Sequence, residues 1–104
     1  MEVEVDVDPD LTQEFGDIIR QVRKISKFFR KSPVRNEEFL QPLVRQAFGK
    51  ELILCIDVVT RWNSLLKMLK RFYKLRTEVK MACIRARFEF TLSDGDLEKI
   101  KFYL

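Results

Sequence analysis

A mainly α-helical fold, a small orthogonal or bundle-like packing of about four helices, is predicted by three observations. Apolar residues recur at helical spacing in long stretches of the chain. Only three glycines interrupt its 104 residues. Apolar side chains make up 46% of the sequence and aromatic ones 12%, which suits a packed core and argues against disorder. A chain of this length fits one small domain and buries about two-thirds of its unfolded surface.

The elements follow in order. Residues 1–10, MEVEVDVDPD, alternate valine with carboxylate; this is a strand period, yet the acids would repel along one edge. The segment reads as an acidic leader, mobile or an edge strand, closed by Pro9. The helical domain is then residues 11–104. Its first helix, 11–31, carries a stripe of Leu11, Phe15, Ile18, Ile19, Val22, Ile25, Phe28 and Phe29, with Asp10 or Thr12 as cap. Acids lie in its first half and bases in its second, which complements the helix dipole. Ser32-Pro33 stops it, because proline disfavours helical geometry in the residue before it.

Asn36 is placed to cap a second helix, with Glu37 and Glu38 in its first turn and Phe39, Leu40, Leu43, Val44 and Ala47 on its inner side. Pro42 either kinks this helix or restarts it at Gln41. Gly49 is the natural stop. Residues 52–59 fit a short strand or an extended buried connector. A third helix, 61–87, is expected to start from a Thr60 cap and to present Trp62, Leu65, Leu66, Leu69, Phe72, Tyr73, Val79 and Cys83 on one face. After a connector at 88–92, Ser93 and Asp96 form a capping box for a last helix through Leu104.

Charge is distributed unevenly. Residues 1–17 hold seven acids and no base, leaving 20 bases against nine acids in residues 18–104, a body charge of about +11. Such a field attracts phosphate backbones or acidic protein surfaces, unless the bases simply form a solvated helix face. No histidine occurs, and Cys55 and Cys83 lie far apart in apolar surroundings. A metal centre, which wants clustered ligands, is therefore not expected, nor is a cofactor; buried reduced thiols are. The acidic N-terminus lacks the apolar region of a signal peptide. No apolar run approaches the ~20 residues of a membrane span.

The densest signature is Asp57-Val58-Val59-Thr60-Arg61-Trp62-Asn63-Ser64, followed by Met68-Leu69 and Arg71-Phe72. It resembles the D-V-x-T-R-W-N-S-x-x-x-M-L-x-R signature of hAT-superfamily DNA transposases and of proteins domesticated from them. Val22-Arg23-Lys24-Ile25 with Ser32 and Arg35 upstream, and Leu92-Ser93-Asp94 with Asp96-Leu97 downstream, extend the resemblance over roughly residues 11–104. It implies a fragment of a larger hAT-type protein, from the start of a helical domain inserted into a ribonuclease-H-like core. That family's metal-binding acidic triad lies in the core on either side, and its Cys-x-x-His motif is missing here, so the chain alone is not expected to be an enzyme. Asp57 reads better as a cap or hydrogen-bonding group near the helix start than as a catalytic acid.

By resemblance, Arg61 and Trp62 sit near a transposon end, with the Trp62 ring stacking on a flipped base. The other reading makes Trp62 a core residue and pairs Arg61 with Asp57. Lys67, Lys70, Arg71 and Lys74, at i, i+3, i+4 and i+7, share one helix face and are placed to follow a phosphate backbone. A second basic cluster runs from Arg20 through Arg23, Lys24, Lys27, Arg30 and Lys31 to Arg35. The partners expected are DNA and the remainder of the parent chain. A protein-interaction or oligomerisation module of a domesticated transposase is the rival role, with Phe88, Phe90 and residues 102–104 placed to dock a missing domain or a second copy, so that a homo-oligomer is one expected partner. A nuclear location follows from the resemblance, and no membrane association is expected.

Overall fold

The computed structural model of the protein describes residues 9–56, 62–102 and 104. Helix α1, Pro9–Arg30, opens on proline, whose fixed φ suits a first helical position and whose missing N–H costs nothing there. Pro9 therefore starts a helix, and Asp10 and Thr12 lie inside it instead of capping it. Ile18, Val22, Ile25 and Phe29 form its buried stripe.

The second helical stretch is built in three pieces: α2 (Pro33–Arg35), a π-helical turn (Asn36–Leu40) and α3 (Gln41–Phe48). Ser32, not Asn36, is its cap: the Ser32 hydroxyl accepts from the Arg35 N–H at 3.2 Å, while the Asn36 N–H is already bonded to the Ser32 carbonyl at 3.0 Å. Pro42 explains the wide turn. In a continuous α-helix its ring would crowd the carbonyl four residues back. The Gln41 N–H instead reaches five residues back to the Asn36 carbonyl, and α3 restarts there with proline in its first turn. Gly49, at φ 72°, ends α3 in the left-handed conformation, which lacks a Cβ penalty only for glycine. Ala47, expected inside, is exposed; α3 ends one residue later, and Phe48 makes the core contact in its place.

Residues 51–56 form no helix or strand, and no strand occurs among the described residues, so this part of 52–59 is a connector. Gln41 holds it. This fully buried amide donates to the Leu52 carbonyl at 2.8 Å and accepts from the Leu52 N–H at 3.2 Å, giving one residue the two bonds a neighbouring strand would supply. Its Nε2 also bonds Asn36 Oδ1 at 3.0 Å. Leu54 is buried beyond this clamp. At the surface Arg45 pairs with Glu37 at 2.6 Å and Glu51 at 3.5 Å. The hydrogen bond from Arg45 holds the Glu37 carboxyl below its ordinary range.

The long third helix is two helices, α4 (Trp62–Lys74) and α5 (Arg76–Ala86), broken at Leu75. No proline or glycine causes the break. The Arg76 guanidinium lies 4.0 Å over the Tyr73 ring and donates to the Tyr73 carbonyl at 2.7 Å, satisfying an acceptor that a continuous helix would bond through its backbone. Leu75 itself is fully buried, so the bend packs both helices on one core. The apolar positions Leu69, Phe72, Val79 and Cys83 are buried, with Met68 and Ala82 beside them.

At the end of α5, Arg87 takes φ 58°. The Phe88 N–H returns to the Cys83 carbonyl at 2.9 Å and the Arg87 N–H to that of Ile84 at 3.2 Å, a Schellman closure with arginine where glycine is usual. Phe88 then stacks on Phe28 at 3.9 Å between ring centroids, and Phe90 lies parallel to Phe72 at 6.3 Å. Both rings are thus half-buried within the fold. The Ser93–Asp96 capping box forms reciprocally, each bond 3.1 Å long, and starts α6 (Asp94–Phe102). Helix α4 packs against α1, α5 and α6, while α5 also covers the π-turn and α3. The fold is mainly helical, as the periodicities predict.

Candidate nucleic-acid interface

Helix α4 carries the basic row because its apolar and cationic residues alternate at helical spacing. Burying Met68, Leu69 and Phe72 leaves Lys67, Lys70 and Lys74 exposed, with Arg71 at the margin. Arg71 donates to the Ile53 carbonyl at 2.9 Å, so its guanidinium is anchored to the connector. Lys74 Nζ lies 5.5 Å from the Phe48 ring centroid. Among the described residues no carboxylate is ion-paired with any of these four cations.

The row does not stand alone. Helix α6 packs beside α4, and its last turn brings Lys101 and the neighbouring Leu104 across from the row. The result is an open groove of about 660 Å³ lined by Lys67, Lys70, Arg71, Tyr73 and Lys74 of α4 and by Lys101 and Leu104. A smaller hollow of about 340 Å³ continues it past Lys67 and Lys70 to Leu66 and Asn63. Thr60, Asp57, Arg61 and the Trp62 side chain lie outside the described residues; Trp62 is the first residue of α4.

The structure therefore gathers four of the six sequence-selected binding residues in one groove. The α1 cluster is used differently. Arg35 lies 4.1 Å over the Phe28 ring and donates to the Phe28 carbonyl at 2.8 Å, Lys24 sits 6.0 Å from the Phe88 ring, and Arg20 pairs with Asp17. Several of these bases thus serve the packing of α1. Lys101, Tyr73 and Leu104 were not singled out as binding residues by sequence. Local spacing placed Tyr73 on the apolar face, and nothing local reports that the end of α6 meets α4. Both cysteines are free, Cys83 buried and Cys55 half-buried.

The comparisons with known proteins put this helical domain in the hAT transposase-derived class. Residues 7–101 match the family described as the ZBED1 RNase-like helical domain, and the chain belongs to that family. It is also similar to the zinc finger BED domain-containing protein RICESLEEPER 2 of Oryza sativa subsp. japonica, with 32% identity over 60 residues. That match covers 58% of this chain and 8% of the rice protein. No solved structure matches the chain.

Proposed function

We propose that this domain is a non-catalytic segment of a hAT transposase-like protein that helps to hold DNA through the basic face of α4. Arg61 and Trp62, Lys67, Lys70, Arg71 and Lys74 are the residues assigned to that contact. The observation that carries the reading is the row of Lys67, Lys70 and Lys74, exposed on one face and unpaired with carboxylates among the described residues. Cations in that state recover binding energy by releasing condensed counterions from a phosphate backbone, which positions DNA without reading its sequence. The groove is lined by cations and apolar groups, and no histidine occurs in the chain, so its chemistry is that of holding and not of cleaving. Catalysis in the parent protein is assigned to segments outside this one, and its location to the nucleus.

The test is DNA binding by the 104-residue chain at several salt concentrations, beside Lys67→Glu/Lys70→Glu with its fold checked by circular dichroism. Binding that weakens with salt and is lost in the double variant is expected. Salt-independent binding, or a variant that binds as the wild type does, overturns the reading. The rival role in assembly draws on one observation, the 86% exposure of Phe102 at the end of α6. Concentration-dependent dimers on gel filtration, with no DNA affinity, would favour it.

A further inference from the structure

We infer that the groove between α4 and the end of α6 is a single-strand site, in which Lys101 acts with the α4 lysines on phosphates while Tyr73 and Leu104 receive an unstacked base. This rests on the DNA-holding reading and adds to it the strand state of the ligand and a cation from a second helix. The groove has two chemistries at once. It is cationic from two helices, through Lys67, Lys70 and Lys74 on α4 and Lys101 on α6, and its lining is otherwise mostly apolar. A duplex offers such a surface its phosphates but keeps its base faces stacked inside, so the apolar lining would stay wet. A single strand offers both, phosphate to the cations and a flat apolar face to the apolar lining, and aromatic platforms within positive grooves bind single strands in this way.

The combined hollows run from Asn63 to Lys74, about 16 Å along the helix axis, room for more than one nucleotide. At about 660 Å³ the main hollow also falls within the range of sites that enclose a small organic group. No Asp or Glu side chain lines the hollow.

Fluorescence anisotropy with labelled oligothymidylate, and with a duplex of equal length, tests this on the 104-residue chain. The single strand is expected to bind roughly tenfold more tightly than the duplex, since stacking of a single base contributes about that factor. Lys101→Glu, at an exposed position, should weaken single-strand binding several-fold and leave duplex binding nearly unchanged; Lys101→Gln should give a smaller shift in the same direction. Equal affinity for the two probes, or indifference to Lys101→Glu, overturns this inference while leaving the DNA-holding role standing. Failure of both probes to bind overturns the two together. Displacement of the oligonucleotide by polyglutamate at matched charge would also overturn it, because the apolar lining would then contribute nothing.

Discussion

Cys83 shows how far a single buried group can be read. Burial pushes its thiol from an ordinary 9.0 up to about 12, so the folded protein keeps it protonated where the unfolded chain would ionise. Between those values the unfolded state binds fewer protons, and stability falls with rising pH. The expected outcome is a thermal midpoint that declines from near pH 9 upward, less so in Cys83→Ala once its cavity cost is subtracted. Thiol labelling at neutral pH should modify Cys55 first and Cys83 only on unfolding. Ser26 is a second such residue: fully buried on α1, its hydroxyl has no hydrogen-bond partner among the described residues. Ser26→Ala removes that unmet donor and improves helix propensity, and is expected to raise stability by about 1 kcal/mol, read from the urea midpoint.

Among the elements, the ones legible in sequence are those whose signals are local. The α1 stripe, the Gly49 stop and the Ser93–Asp96 box each lie within a few residues of the feature they specify, and each is found. Pro42 was legible as a problem, with restart at Gln41 as one of its two solutions. The break at Leu75 was not, because no helix-breaking residue marks it; a buried leucine and an arginine folded over Tyr73 produce it through tertiary packing. Gln41 was equally silent, being an ordinary helix former whose clamp partner lies 11 residues away. Gln41→Leu should leave both polar groups of Leu52 without their partner and destabilise the fold by about 2–4 kcal/mol. Hydrogen exchange at the Leu52 amide would accelerate before global unfolding if the clamp acts as described.

On the scale of the whole molecule, the charge partition is the property that sequence gives most directly and structure then sorts. Residues 18–104 carry about +11, yet Arg35, Arg45 and Arg76 are committed to rings, carbonyls or carboxylates within the fold. Five groove cations on a single strand would give a log–log salt slope of about −3.5, and loss of Lys67 and Lys70 would bring it to about −2. That difference measures the groove itself, apart from the diffuse field. The convergence of α6 on α4 had no sequence signature, since it depends on contacts between segments some 30 residues apart; hence four of the groove's cations were legible and Lys101 was not.

The bend at Leu75 carries one more meaning. Lys80 and Arg85 belong to the next helix and do not line the groove, so the row behaves as a ruler with an end mark. Longer oligonucleotides would overhang it and gain little, which makes the footprint a property of a leucine that never touches the nucleic acid.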